Sequence, residues 1–326
     1  MRYLSIKGKS AGVMLALLLF AMALGACSRK IPKSQVDPNT YAKEIEQWHQ
    51  ERWKELHNES GWLTLIGLFW LHEGRNEIEL GSRNEIIVPD ITAIRSIKTM
   101  PPVEEKAPLD LGAFIVTNGV VRFETPLTGF FVDGQRVSSL QLETDADDKP
   151  TVITHDSLTF QIIKRGDKLG LRVKDSQNPD RLNFKGTEFY PADLKWRLDA
   201  RFEPYNPPKP MPITNVLGME SSEASPGAVK FEIDGKEYRL DAITEKDEPR
   251  LFMIIADTTS GKDSYPAGRY LYVDPPDASG HLIIDFNKAY SPPCAFTKYA
   301  TCPLPPRQNR LPFAIGAGEK YRPHPG

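Results

Sequence analysis

The sequence predicts a mainly β fold, with antiparallel sandwich- or barrel-like sheets and one N-terminal amphipathic helix. Short apolar runs alternate with dipeptides that are typical of two-residue hairpin turns, namely Asn118-Gly119, Asp133-Gly134 and Asp234-Gly235. The chain contains 28 Pro and 23 Gly, which favours strands joined by tight turns over a helical bundle. A helical spacing of apolar residues precedes this β pattern.

The helix is predicted over residues 38–58. Asp37 is a favourable N-cap, and Pro38 suits the first helical position, where no backbone N–H is needed. One face repeats at helical spacing and carries Tyr41, Ile45, Trp48, Trp53 and Leu56. The apolar run 61–71 that follows is too short to span a membrane.

Period-two alternation begins near residue 76 and predicts a series of short strands. They fall at 76–80, 85–88, 113–116, 120–124, 129–132, 137–142, 152–154, 158–164, 170–174, 194–203, 213–219, 229–233, 237–242, 251–256, 269–273 and 281–286. We assign one β-rich domain to residues 38–320 and a tail to 321–326. The proline-rich segment 204–212 is the best internal linker, with a sub-boundary near residue 205.

Residues 1–26 resemble a bacterial lipoprotein signal peptide. A basic start is followed by the apolar stretch Ala11–Leu24 and then by Leu24-Gly25-Ala26-Cys27, which resembles a lipobox. In that interpretation Cys27 carries the acyl chains, palmitate among them, and becomes the mature N-terminus, with 27–37 as a tether. The alternative is an ordinary secretory signal with an incidental cysteine.

This N-terminus predicts a cell-envelope protein that contacts the membrane through its lipid anchor. Ser28 follows the cysteine, and its position favours the outer membrane, facing the periplasm, in a Gram-negative source. Loss of Arg2, Lys7 and Lys9 reduces the 41 basic residues to 38 against 43 acidic ones, a net charge of −5. That charge argues against nucleic acid as a partner, and leaves a small molecule or an envelope protein.

The common catalytic motifs are absent from the sequence. No G-x-G-x-x-G follows a strand, and neither G-x-S-x-G nor H-E-x-x-H occurs. Gly8-Lys9-Ser10 lies in the predicted signal peptide and lacks the context of a Walker A motif. We therefore predict no cofactor, and the sequence assigns no standard enzyme class.

Polar residues concentrate in the C-terminal segment 251–319. Its carboxylates are candidates for general acid/base catalysis, and its arginines could hold an anionic group. Alternatively, Arg269 pairs with Asp257 or Asp285 and stabilises the fold. The candidate site residues are Asp257, Tyr265, Arg269, Asp285, Asn287, Asn309, Arg310 and Glu319.

Cys294 and Cys302 are the two cysteines that remain after Cys27. A disulfide is the first interpretation, since an oxidising compartment favours it and so short a loop would contribute roughly 2–3 kcal/mol. A metal site is the second, with His281 or Asp285 completing the ligands. A packed thiol pair is the third, and His281 is otherwise a histidine at a strand edge.

Several motifs of this region together resemble the bacterial and archaeal domain-of-unknown-function family numbered 1684. They are Gly268-Arg269-Tyr270, Asp285-Phe286-Asn287-Lys288-Ala289-Tyr290, Pro293-Cys294-Ala295-Phe296, Cys302-Pro303-Leu304-Pro305-Pro306, Asn309-Arg310-Leu311-Pro312 and Ala317-Gly318-Glu319-Lys320. The resemblance extends over residues 40–320 and implies no established activity.

Two hypotheses about function follow. The first is a binding or structural module of the cell envelope, indicated by the anchor, the β architecture and the missing catalytic motifs. The second is an envelope hydrolase or metal-assisted enzyme that uses the Asp, Glu and Arg residues of 257–319.

Overall fold

A computed structural model of the chain describes residues 36–81, 86–87 and 109–322. The predicted signal peptide 1–26, the predicted lipidation site Cys27, most of the predicted tether and the end of the tail lie outside the described residues. The mainly β, antiparallel fold with one long N-terminal helix is confirmed.

The elements in chain order are α1 (Pro38–Leu56), β1 (Leu65–Trp70), β2 (Gly74–Leu80), β3 (Ile86–Ile87), β4 (Leu109–Thr117), β5 (Val120–Glu124), β6 (Phe131–Val132), β7 (Gln135–Arg136), β8 (Ser139–Leu142), β9 (Val152–His155), β10 (Leu158–Arg165), β11 (Lys168–Asp175), α2 (Pro179–Leu182), β12 (Arg197–Thr214), β13 (Glu220–Ile233), β14 (Lys236–Asp241), β15 (Ile243–Glu245), β16 (Glu248–Ile255), β17 (Arg269–Val273) and β18 (His281–Asp285). Short 3₁₀ turns at 62–64, 194–196, 286–288, 293–295 and 307–309 complete the description. Neither α-helix in the described ranges has the length and apolar character needed to cross a membrane.

Helix α1 begins where the sequence predicts. Oδ1 of Asp37 accepts a hydrogen bond from the Thr40 N–H at 2.9 Å, so one of the free donors of the first turn is satisfied. The buried face of the helix contains Tyr41, Ile45 and Leu56, and also a charged residue, Arg52. An arginine on this face requires a partner in the body of the protein.

The first core lies between a six-stranded sheet, β1-β11-β10-β9-β6-β7, and a five-stranded sheet, β3-β2-β4-β5-β8. Alternate residues of each strand point into it, as in the burial pattern of β10. Aromatic rings fill its centre and contact each other at tilted angles, with Phe114, Phe123, Phe130 and Phe160 all buried.

The second core lies between the four-stranded sheet β14-β13-β12-β18 and the three-stranded sheet β15-β16-β17. Strand β16 is apolar on both faces. Met253 and Ile255 contact this core, whereas Phe252 and Ile254 face a third cluster that includes Tyr270 and Cys302. Burial of both faces explains why residues 251–256 form a continuous apolar run instead of alternating.

The proline-rich segment 204–212 is part of a strand, so the expected linker is wrong. It lies inside β12, which pairs with β13 on either side of a bulge between Pro204 and Lys209. Strand β18 pairs with β12 only from Arg197 to Arg201. Beyond Arg201, this side of β12 needs no backbone N–H donors, so proline is tolerated there. The first core draws on residues up to 173, and the second core draws on residues from 196 onward.

Candidate functional site

The candidate residues of 257–319 do not form an open, solvated site. Asn309 and Glu319 are completely buried, Arg269 is 1% exposed and Asn287 is 2% exposed. Arg310 is the exception, because its side chain is exposed and its Nη2 donates to the Pro305 carbonyl at 3.1 Å. The buried members divide into separate hydrogen-bonded groups, each of which joins distant parts of the chain.

The first group is the ion pair between Asp257, just after β16, and Arg269, the first residue of β17. Nη2 of Arg269 lies 2.8 Å from Oδ2 of Asp257, and both side chains are 1% exposed. The guanidinium also donates to the carbonyls of Ile315 and Ala317, while Oδ1 of Asp257 accepts from the N–H groups of Thr259 and Ile315. This pair therefore holds the segment 315–317 against the β16–β17 hairpin.

The second group joins helix α1 to the C-terminal segment. Nε of Arg52 lies 2.8 Å from Oε1 of Glu319, and the two side chains are 5% and 0% exposed. Ser291 completes the group, since its carbonyl accepts from Arg52 and its N–H donates to Oε2 of Glu319 at 2.8 Å. The guanidinium also lies over the ring of Tyr290, 4.5 Å from its centroid.

The third group joins α1 to the end of β18. The Tyr41 hydroxyl lies 2.9 Å from both carboxylate oxygens of Asp285, and Asn287 donates to Asp285 from its backbone and its side chain at 3.0 Å. Burial raises the pKa of the Asp285 carboxyl above its usual value, although these hydrogen bonds act in the opposite direction. The amide of Asn287 also bonds Asp193 through both its oxygen and its nitrogen.

A groove of 480 Å³ lies beside this third group. Its lining includes Pro38, Tyr41 and Ala42 of α1, the segment 191–195, and Gly316. Tyr41 is therefore the member of the group that faces the groove, with the Asp285 carboxyl behind its hydroxyl. This is the place where a candidate carboxyl comes nearest to a described cavity.

Asn309 has an architectural role. Its side-chain oxygen accepts from the Asp241 N–H at 2.8 Å, and its amide donates to the carbonyls of Asp241 and Ile254. The Asn309 side chain thus connects the backbone of β14 to the backbone of β16.

The predicted disulfide is not present. Cys294 and Cys302 are free, and the Cys294 N–H donates to the sulfur of Cys302 at 3.1 Å. The hydrogen bond with Cys294, together with burial, raises the pKa of the Cys302 thiol. Tyr265 belongs to the same neighbourhood, since its hydroxyl donates to the Cys294 carbonyl at 2.8 Å. The pair matches the third interpretation, packed thiols.

The suggested metal ligands do not converge. His281 opens β18, where Nε2 lies 3.0 Å from Oδ1 of Asp199 and Nδ1 lies 3.8 Å from Oδ2 of Asp277. No group of three or more His, Cys, Asp or Glu side chains within 36–81, 86–87 and 109–322 is arranged to hold a metal ion. His281 is a strand-edge histidine, the alternative that the sequence left open.

Sequence reasoning missed three buried arginines, Arg52, Arg172 and Arg181. Arg52 lies seven residues after Ile45, so heptad spacing could have placed it on the buried face of α1. Arg172 interrupts the apolar part of β11 and is 7% exposed. Its outward position in the alternation favours a surface residue, and only packing against the rest of the chain buries it.

Comparison with known proteins gives a family and no activity. A family described as "Protein of unknown function (DUF1684)" matches residues 182–320. The expected resemblance covered residues 40–320, so its first part, residues 40–181, lies outside this match. The solution NMR structure of an uncharacterized protein of Haloarcula marismortui is 31% identical; the alignment covers 43% of this chain and 78% of that chain, with a TM-score of 0.37. No curated protein matches. The chain belongs to the DUF1684 family of proteins of unknown function.

Proposed function

We propose that this chain is a cell-envelope lipoprotein, anchored through acylated Cys27, whose β-rich body is a binding or structural module. One observation carries the choice of a module over an enzyme: the buried carboxylates of Asp257 and Glu319 use their hydrogen-bonding capacity on the chain itself. Both oxygens of Asp257 and both oxygens of Glu319 are bonded to groups of the protein.

A general acid, general base or nucleophile must reach the atoms of a substrate. Arg269 and Glu319 are 1% and 0% exposed, and each is bonded to backbone groups from distant segments. Such residues determine how loops are held on a sheet. Their arrangement supports a rigid body that presents a surface.

The anchor and its location follow from the N-terminal sequence. Cys27 would hold the body at the membrane, Ser28 favours the outer membrane facing the periplasm, and the net charge of the mature chain disfavours nucleic acid. The partner of such a module is a small molecule or another envelope protein.

The experiment compares the full chain with Cys27→Ala in the source cell or a Gram-negative host. We expect the unaltered chain to incorporate labelled palmitate and to fractionate with outer membranes, and Cys27→Ala to lose both properties. Ser28→Ala is the matched control and should behave like the unaltered chain. Retention of Cys27→Ala in the membrane fraction, or an unlabelled parent chain, would contradict the anchor.

A hydrolase remains the second candidate because of one observation. The Asp285 carboxyl has a raised pKa, as a general acid requires, and its partner Tyr41 lines the groove of 480 Å³. The purified chain should be assayed with generic phosphate, ester and glycoside substrates. If the parent chain turns over one of these substrates, and Asp285→Asn abolishes the turnover without lowering the melting temperature, the chain is an enzyme and the module hypothesis is wrong. A melting-temperature change without any turnover supports the module.

A further inference from the structure

Arg172 is a buried cation without a carboxylate partner among the described residues. It lies in the middle of β11, between Leu68 of β1 and Gln161 of β10, and is 7% exposed. Its guanidinium makes no ion pair and no hydrogen bond with the described part of the chain, and its Nε is fully buried. Of the other buried arginines, Arg52 and Arg269 each pair with a carboxylate, and Arg181 donates to the carbonyls of Ser176 and His57.

The groups that surround Arg172 add positive charge and an aromatic surface. The Trp62 ring centroid lies 5.1 Å from the Arg172 guanidinium and 6.0 Å from the Lys174 ammonium. Burial and the charge of Arg172 lower the pKa of Lys174 to about 8. Burial and the nearby Arg165 lower the pKa of Arg172 to about 10. Both shifts mean that burial, together with neighbouring positive charge, disfavours the charged forms of Arg172 and Lys174.

The nearest carboxylate is already engaged. Asp145 lies 2.8 Å from Nη1 of Arg165, whose Nε also donates to the Thr301 hydroxyl at 3.1 Å. Asp145 therefore neutralises Arg165. Arg172 has no ion pair among the described residues, and the Lys174 ammonium donates to a neutral partner, the Ser60 carbonyl, at 2.5 Å. Trp62 and Lys174 are half-buried, so the group borders on solvent.

An uncompensated guanidinium in this position works against stability. Moving a charge out of water costs several kcal/mol unless an opposite charge offsets that cost. An apolar residue at this position would fill the same space without the cost. Strand pairing on both sides holds the backbone of Arg172 rigidly, which is the arrangement that a preorganised binding group needs. A planar guanidinium with free N–H donors is suited to bidentate binding of an oxyanion.

We propose that Arg172, Lys174 and the ring of Trp62 form a binding site for the oxyanion group of a small molecule, a carboxylate or a phosphate. The anion accepts hydrogen bonds from Arg172, Lys174 adds the second positive charge, and the indole forms an apolar wall. The site deepens the proposed binding role and rests on it. It is separate from the polar groups of 257–319.

The test measures phosphate and acetate binding to the full chain in detergent, by calorimetry and by thermal unfolding. Sodium chloride at matched ionic strength is the reference. We expect saturable binding of one of the two anions, and a melting temperature at least about 2 °C higher at roughly tenfold the Kd. The preferred anion distinguishes a phosphate ligand from a carboxylate ligand.

Arg172→Met keeps the apolar stem of the side chain and removes the charge. We expect at least tenfold weaker anion binding, with a melting temperature in chloride that equals or exceeds that of the parent chain. Arg122→Met, on the exposed face of β5, is the matched control and should bind like the parent. A purely structural Arg172 would lower the melting temperature equally in chloride and in phosphate.

The proposal is overturned if the parent chain binds neither anion saturably, a measurement that does not depend on any variant. It is also overturned if Arg172→Met, or Lys174→Met where the former does not fold, binds as the parent does. Either result leaves palmitate labelling of Cys27 and the substrate assays unaffected. Failure of this site can therefore be distinguished from failure of the proposed function.

Discussion

At the scale of single residues, two buried ion pairs, Asp257–Arg269 and Arg52–Glu319, hold distant segments of the chain together. The Asp257–Arg269 pair was among the alternatives that the sequence offered, since both residues lie at the ends of neighbouring strands. The Arg52–Glu319 pair joins residues 267 positions apart. No local pattern relates positions so distant, so the second pair could not be predicted.

Glu319→Ala should strongly destabilise the protein, because it leaves Arg52 buried without its carboxylate. Loss of one partner of a buried pair costs about 3–5 kcal/mol. Chemical denaturation of the full chain gives the free energy of unfolding. Glu124→Ala, which removes the exposed partner of Arg122, should change it by no more than about 0.5 kcal/mol. Equal effects of the two variants would contradict the structural role assigned to Glu319.

Asp285 gives a prediction about pH. Since burial raises its pKa in the folded state, the contribution of this carboxyl to stability is complete below the unfolded value near 3.8 and is lost as the pH rises through the folded value. Asp285→Asn cannot ionise. Its melting temperature relative to the parent chain should therefore increase from pH 4 to pH 7.

The control for this pH series is Asp133→Asn, in an exposed hairpin turn, where no such trend is expected. A difference between Asp285→Asn and the parent that stays constant or falls over the same range would show that ionisation of Asp285 does not oppose folding.

At the scale of elements, the local signals located most strands and turns. Asn118 and Gly119 have φ values of 51° and 78°, as expected for a two-residue hairpin turn. The error at 204–212 has a physical cause. Proline excludes a residue from the interior of a sheet, but the edge position of β12 depends on which strand lies beside it. That neighbour is β18, which is distant in sequence.

Gly268, immediately before β17, tests how closely the β16–β17 connection packs against neighbouring segments. Its φ is +90°, and a β-carbon there would lie 2.3 Å from the Ile255 carbonyl oxygen and 2.5 Å from Cγ of Pro305. Gly268→Ala should therefore cost about 1–3 kcal/mol more than a substitution that only strains φ.

Gly166→Ala is the matched control for this substitution. Its φ is also positive, at +59°, but nothing lies within 4 Å of the added carbon. The free energies of unfolding of the two variants give the difference directly. Equal losses would mean that the backbone at Gly268 relaxes away from Pro305.

At the scale of the whole molecule, the two main cores are joined by contacts across their boundary. The Arg165 side chain, at the end of β10, donates to Thr301, which lies within the sequence range of the second core, between Ala289 and Leu311. Ile163 on the outer face of the same strand is completely buried. The described residues accordingly belong to one compact unit.

Leu171→Ala in the first core and Ile284→Ala in the second should therefore lower the same cooperative transition. Each residue is completely buried, and each truncation should cost about 2–5 kcal/mol. Tryptophan fluorescence and far-ultraviolet circular dichroism should give coincident denaturation curves for both variants. Two transitions, each shifted by only one of the variants, would show that the cores unfold independently.

The sequence by itself determined the mainly β class, the N-terminal helix, most hairpin turns and the family, because periodicity, turn chemistry and motif content are local properties. Tertiary structure alone decided that Glu319 and Asn309 are buried, that Cys294 and Cys302 remain free thiols, and that Arg172 has no carboxylate partner within the described part of the chain. Burial and pairing depend on which distant segments pack together. The same polar residues could have lined an open cleft, and their packing against α1 and segment 315–317 made them part of the interior.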